Sequence, residues 1–425
     1  MSTTTQAIHR KQVSEISKAR RYGMGAVEIV IALIIFFVFA VKIAPDVRTN
    51  FVMTPGGITQ GIMKDMLVPS RLSLIVMAAL TLLIGLVQII RGFNKRTNLM
   101  IGIAGLLLIM SFLVWQGAGK SLNLGGMLNS AVLLAVPITL GAFAGILSER
   151  SGVVNIAIEG MMLFAAMTGT VVGSLTDSRL LGLLGAIAGA VFLAAIHSML
   201  SIKYKINQTI SGTVINIFSA GMTAFVSQKF LQVNESLNTP PMFGRLPIPL
   251  LADIPFVGPI LFNTNIFVYI LIAILIVLQV ALFSTRWGLR LRSVGEHPKA
   301  ADTLGINVQR TRWMGVLLSG VVAGLAGAFF TLGSVGRFEE GMTAGKGFIG
   351  IAAMIFGNWN PIGSLGAGLL FGFADAIGSK LSILGSGIPT QFMAMAPYLI
   401  TMIVLAGFIG KGQAPAAAGT PYNKE

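Results

Sequence analysis

Catalytic chemistry needs nucleophiles, acid–base pairs or metal ligands held close together, and this sequence supplies few. It contains no cysteine, which excludes thiolate catalysis, disulfides and cysteine-ligated metals. Its three histidines, His9, His197 and His297, stand far apart, and there is no HExxH pair. No catalytic residue and no metal site is therefore assigned. Gly117-Ala118-Gly119-Lys120-Ser121 looks like the end of a phosphate-binding loop, but the glycine required five residues before Gly119 is Val114. No strand precedes it and it lies between apolar runs, so it fails the context that motif needs. The chain is expected to bind no cofactor of its own and to catalyse no reaction.

The polar residues that do stand out interrupt apolar segments. Glu159 lies a few residues inside one such segment, where an ionisable group is costly and tends to face a cavity or a partner. Asn155 precedes it by four residues, which on a helix places the two side chains on one face, with Asn155 able to cap. Asn216 sits in a weakly apolar segment with Ser211, Thr213 and Ser219, and it reads either as glue between helices or as a ligand. Asn358-Trp359-Asn360-Pro361 separates two short apolar pieces. Broken helices at membrane depth are tolerated where they line a cavity or are buried in protein. Asn155, Glu159, Asn216, Asn358, Trp359 and Pro361 are accordingly assigned to a path for a solute. Asp375, near the end of its span, is read in the same way as Asn216, His197 as making a local hydrogen bond, and the GxxxG pairs, such as Gly320 with Gly324, as close helix packing.

The longest charged interruption, residues 285–312, carries six of the thirty Lys and Arg. It must lie in water, and its basic excess places it on the cytoplasmic side of a membrane. Within it, Pro298 to Leu304 has the pattern of a short helix, with Pro298 in the first turn, Ala300 and Ala301 as helix formers, and Gly305 as the stop. A rigid knob between two apolar runs suits a soluble partner that pushes on it; the alternative is an ordinary basic connection.

These interruptions are positioned by apolar segments that account for most of the chain. The 425 residues are 54% hydrophobic and 11% charged, with a mean hydropathy of +0.83. That composition excludes a soluble protein and indicates an all-α, polytopic transmembrane bundle of about 11–12 apolar segments, some of them broken. The net charge of +15 is spread between spans rather than gathered in a patch, so it reports topology and not nucleic-acid binding. The N-terminus, with Arg10, Lys11, Lys18, Arg20 and Arg21, is expected in the cytoplasm. Phe348–Gly357 is too short to cross ~30 Å of hydrocarbon, which leaves open whether 348–377 is two crossings or a re-entrant piece. A last span is expected at about Phe392–Ile409, followed by a disordered tail at 411–425.

Ser148-Glu149-Arg150-Ser151-Gly152-Val153-Val154-Asn155-Ile156-Ala157-Ile158-Glu159-Gly160-Met161-Met162 resembles a signature of bacterial ABC-importer permeases of the branched-chain amino acid and ribose type, closest to the nucleoside and simple-sugar branch. Gly288 to Arg312, Met342-Thr343-Ala344-Gly345-Lys346-Gly347-Phe348-Ile349 and Phe356-Gly357-Asn358-Trp359-Asn360-Pro361 resemble the same branch, in the same order. The resemblance implies a type II-like importer fold over 128–410. Residues 1–127 then form a basic tail and three additional spans that depart from the family pattern. It implies a second permease subunit, usually a different chain, two cytoplasmic ATP-binding subunits and an extracytoplasmic binding protein, in a bacterial plasma membrane. It also implies that Gly295, Glu296, His297, Pro298, Ala300, Ala301, Gly305 and Ile306 belong to the coupling helix that enters a groove on the ATPase. ATP would then bind to the partner and not to this chain.

Three other readings stand beside it. Within the family, ribose-type sugars or branched-chain amino acids replace the nucleoside. Outside it, a channel or ion-driven secondary transporter would favour buried acids and need no coupling knob. An intramembrane enzyme would need a convergent catalytic cluster.

Overall fold

Lipid offers no hydrogen bonds to a backbone, so an apolar run that crosses it closes its own amides into a helix. The computed structural model describes residues 18–383, 395 and 413–424, and among these ten helices are long and apolar enough to span a membrane. The chain is an all-α polytopic bundle. It divides into two compact units, Met1–Thr54 with Met63–Leu124, and Pro55–Ile62 with Gly125–Glu425.

The first unit holds α1 (Lys18–Leu33), which widens into a π-helical turn at Ile34–Ala40, α2 (Ser70–Ile90) and α3 (Thr97–Gln116). Gly25 and Gly85 let α1 and α2 touch, since a Cβ on Gly25 would stand 3.1 Å from the Gly85 carbonyl oxygen. At one end β1 (Arg48–Val52) pairs antiparallel with β2 (Met66–Pro69) and parallel with β3 (Ser121–Asn123). Nothing in the sequence reading predicts these short strands. The sequence reading groups 1–127 together, yet Pro55–Ile62 belongs to the second unit, where the Gly61 carbonyl accepts from Phe256 N at 3.3 Å.

The second unit contains α4 (Leu124–Glu149), α5 (Ile158–Thr176), α6 (Arg179–Ser198), α7 (Gln208–Val226), α8 (Ile266–Ser284), α9 (Arg286–Glu296), α10 (Pro298–Thr303), α11 (Val308–Ala328), α12 (Lys346–Phe356) and α13 (Pro361–Ile383). The apolar windows of α4 and α11 are 78% buried, against 28% for α7 and α8, so α4 and α11 form the centre and the latter present apolar faces outward. Close approach is achieved by glycine: a Cβ on Gly327 of α11 would lie 2.3 Å from the Met162 carbonyl oxygen of α5. The long connection between α7 and α8 carries a small hairpin in which β4 (Arg245–Pro247) pairs antiparallel with β5 (Asn263–Asn265).

Two helices are broken. The chain between α4 and α5 turns at Gly152 (φ +91°) and runs without helix to Ala157. The α12 helix is 11 residues, or ~16 Å, about half a bilayer, whereas the 23 residues of α13 reach across it. The question left by the 348–377 pattern is answered as one half-span followed by one full-length helix. The expected span at Phe392–Ile409 lies outside the described residues.

One end of this unit gathers the α4–α5 turn, α9, α10, the start of α11 and the α12–α13 turn. Gln413–Lys424 lies there too, which places the C-terminal segment on the same side as α10. It is not the free tail that its Pro and Ala content suggests, because its backbone finds partners: Ala417 N donates to the Gly295 carbonyl at 2.8 Å.

Candidate functional site

The α4–α5 break leaves backbone groups that the helix would otherwise satisfy, and side chains take them up. Asn155 does not share a helical face with Glu159, because α5 starts only at Ile158. Its Oδ1 accepts from Ala157 N at 3.0 Å and its Nδ2 donates to Ser319 Oγ of α11 at 3.0 Å. Asn216 of α7 accepts from Gly160 N at 2.8 Å and donates to the Ile156 carbonyl at 2.9 Å. These bonds tie α7 to the start of α5, the contact that the glue reading expects. His197 Nε2 faces the Val154 carbonyl at 3.0 Å, which can only accept, so Nε2 carries the proton and Nδ1 accepts from Ser211 Oγ at 3.0 Å. Its partners therefore lie on other elements and are not local.

Glu159 holds the start of α12. Its Oε1 accepts from Thr343 Oγ1 at 2.7 Å and from Gly345 N at 2.9 Å, and its Oε2 accepts from Gly347 N at 2.6 Å. These donors are the orphan groups at the start of α12, and a carboxylate there also meets the positive end of the helix dipole. Gly347 is required by the approach, since a Cβ would stand 2.6 Å from Glu159 Cα. Lys346, the first residue of α12, pairs with Asp375 of α13, a partner that sequence reading does not supply. Asn155, Glu159 and Asn216 thus form one inner junction that ties the α4–α5 break to the start of α12.

Asn358, Trp359 and Pro361 are not brought to that junction. They lie at the opposite end of α12, in the turn before α13. Asn358 and Trp359 adopt φ of 53° and 51°, and Pro361 opens α13. Trp359 is 6% exposed, and its indole N–H donates to Glu149 Oε2 at 2.6 Å. Arg150 Nε donates to the Trp359 carbonyl at 3.1 Å, and its Nη1 lies 4.0 Å from Glu296 Oε1. Burial pulls the Arg150 guanidinium below its ordinary pKa, and Glu296 partly offsets this.

The α9–α10 knob rests on this cluster. Gly295 touches the α4–α5 turn so closely that a Cβ would lie 2.3 Å from the Arg150 carbonyl oxygen. Ala301 is buried at 2% exposure with Val294 and Val308, and Ile306 packs beside them. His297, Ala300 and Gly305 face solvent, with Gly305 (φ +79°) ending the turn after α10, as its sequence position predicts. Pro298 opens α10, and Glu296 closes α9. Leu304, which the sequence reading passes over, is 82% exposed at the tip. Its signal is an aliphatic residue beside a helix stop in an otherwise polar loop. Leu304 also borders a groove of about 680 Å³ with Trp287, Leu289 and Met314. An exposed aliphatic side chain on a rigid tip is suited to insertion into a partner.

The α4–α5 turn and α12 are joined at both ends, through Arg150 and Trp359 at one and Glu159 and Gly347 at the other, and the knob sits on the first. Among the described residues no group of three or more His, Asp or Glu is placed to hold a metal.

The family model for the permease component of branched-chain amino acid transport systems matches residues 127–407. The guanosine ABC transporter permease protein NupQ of Bacillus subtilis (strain 168) is 41% identical over 308 residues, covering 69% of this chain and 95% of that protein. The nucleoside ABC transporter permease protein NupC of Lactococcus lactis subsp. cremoris (strain MG1363) matches with the same identity and coverage. A second guanosine ABC transporter permease protein of the same Bacillus, NupP, is 24% identical over 339 residues, 77% of this chain and 94% of that protein. No solved structure matches. With two thirds of its length matched and the paired breaks and knob in place, the chain belongs to the family of permease components typified by branched-chain amino acid transport systems.

Proposed function

We propose that this chain is the permease subunit of an ATP-driven importer that carries a nucleoside across a bacterial plasma membrane, with its N-terminus in the cytoplasm. The observation that carries the substrate class is the 41% identity to guanosine and nucleoside permeases over 95% of their length. Partners of this reading are a second, different permease chain, two cytoplasmic ATPase subunits and an extracytoplasmic binding protein. ATP binds to the ATPase subunits; this chain holds no cofactor and performs no covalent step.

The coupling route follows from the contacts. Closure of the ATPase pair pushes α10. The push passes through Gly295 to the α4–α5 turn and through Arg150 to the α12–α13 turn. Because Glu159 ties the far ends of these segments, the first turn of α5 and α12 move as one block. That block borders the path for the solute, and its displacement alternates access.

Uptake of labelled nucleosides, ribose and leucine into cells that express the chain with its operon partners tests both parts of the reading. The expected outcome is nucleoside uptake that is lost when Glu296, Ala300 and Ala301 are replaced by bulky or oppositely charged residues, with membrane insertion unchanged. Uptake of ribose or leucine alone would keep the ATP-driven route and reassign the substrate. Uptake indifferent to the knob and to ATP would overturn the proposal in favour of a channel or secondary transporter.

A further inference from the structure

A six-residue helix is a small target. Stable protein interfaces bury ~800 Å² on each partner, far more than α10 alone presents, so neighbouring segments must contribute. One of these is Gln413–Lys424, which the importer reading leaves without a role.

This segment is held by six polar contacts. Besides the Ala417 bond to Gly295, Ala416 N donates to Glu296 Oε2 at 3.1 Å and Gln413 N donates to Asn358 Oδ1 at 3.1 Å. Lys205 Nζ donates to Asn423 Oδ1 at 2.5 Å, and Lys424 Nζ lies 3.9 Å from Asp302 Oδ1. Arg312, 2% exposed at the root of α11, donates from Nη1 to the Thr420 carbonyl at 2.9 Å, while its Nε and Nη2 have no acceptor among the described residues. The segment therefore supplies the acceptor of a buried cation. Tyr422 packs onto the Val294, Ala301 and Val308 cluster beneath α10. A cleft of about 620 Å³ opens between the two, lined by His297, Lys299 and Ala300 on one side and Ala416, Pro421 and Asn423 on the other.

We propose that the surface on which the ATPase subunit docks is composite, made of α10 and the C-terminal segment together, and that the cleft between them receives an acidic element of that subunit. The proposal rests on the importer reading. Its charge follows from the lining, which carries Lys299 and no acidic side chain, while the neighbouring acids Glu296 and Asp302 already face the segment. An acidic partner element is steered to such a rim.

The chain lacks cysteine, so single cysteines report unambiguously. Ala416→Cys and Leu304→Cys would each be labelled with a membrane-impermeant maleimide in inside-out vesicles, with and without the bound ATPase subunit. Both should label at least about fivefold more slowly when the subunit is present, because an interface core excludes water. Protection of Leu304→Cys with unchanged labelling of Ala416→Cys would overturn the composite surface and leave the importer reading standing. Protection of neither would overturn both. In a second arm, Lys299→Glu combined with Lys424→Glu should lower retention of the ATPase subunit about tenfold at low salt. Retention equal to that of the unaltered chain would remove the acidic element from the proposal.

Discussion

At the inner junction Glu159 accepts three hydrogen bonds, and Asn155 and Asn216 each complete two. At the tip of the knob Leu304 stands 82% exposed. The first region is satisfied from within the chain. The second is tied to the chain at its base, through Gly295, Glu296 and Asp302, and has apolar surface left over at its tip. The difference separates what must stay fixed from what must meet a partner: breaks in helices at membrane depth survive only if every freed amide is paired, whereas a docking tip is useful only if its contacts are still unmade. Damage to the junction should therefore register as lost stability, and damage to the tip as lost coupling.

Glu159→Ala is the sharpest test of the junction. It leaves the Gly345 and Gly347 amides and the Thr343 hydroxyl without an acceptor, and should cost ~3–5 kcal/mol. Thermal unfolding of the detergent-purified protein measures this, and an unchanged midpoint would show that the carboxylate does not hold α12. Trp359→Phe removes the donor to the buried Glu149 and should cost ~1–3 kcal/mol, the range for leaving a buried acceptor unsatisfied. A loss below ~0.5 kcal/mol would mean that the indole acts by shape alone, as for a neutral surface change. Gly295→Ala stands between the two regions. It drives a methyl group into the Arg150 carbonyl, with a cost of ~1–3 kcal/mol from overpacking, and should also lower transport per ATP hydrolysed. Wild-type coupling in that variant would break the contact between knob and α4–α5 turn as the route of force. Leu304→Ala should change stability by less than ~0.5 kcal/mol, as expected of an exposed side chain, yet reduce ATP-driven uptake severalfold. Equal uptake by this variant would erase the contrast between the two regions.

Much of the scaffold was legible because it is local. Apolar runs of span length, the Pro298 start and Gly305 stop of α10, and the polar interruptions at Asn155 and Asn358 each lie within a few neighbouring residues. The same local view misplaced Asn155 on the helix of Glu159, since a helical spacing carries no sign that the helix has not yet begun. It also grouped Asn358, Trp359 and Pro361 with Asn155, Glu159 and Asn216, although the first three lie in the α12–α13 turn at the other end of α12 from the junction, since polar interruptions of apolar runs look alike in sequence.

Composition and the placing of polar residues are enough to specify a bundle of membrane helices with two polar breaks and one charged knob, since burial in lipid permits little else. Only the tertiary structure decided that Glu159 caps α12 from 184 residues away, that Glu149 binds Trp359 from 210 residues away, and that the Pro- and Ala-rich C-terminal segment is seated on the knob. The physical reason is the same in each case. A carboxylate, an indole or a stretch of bare amides carries no periodicity that names its partner, and the pairing is fixed only when the packed helices bring donor and acceptor within hydrogen-bonding distance.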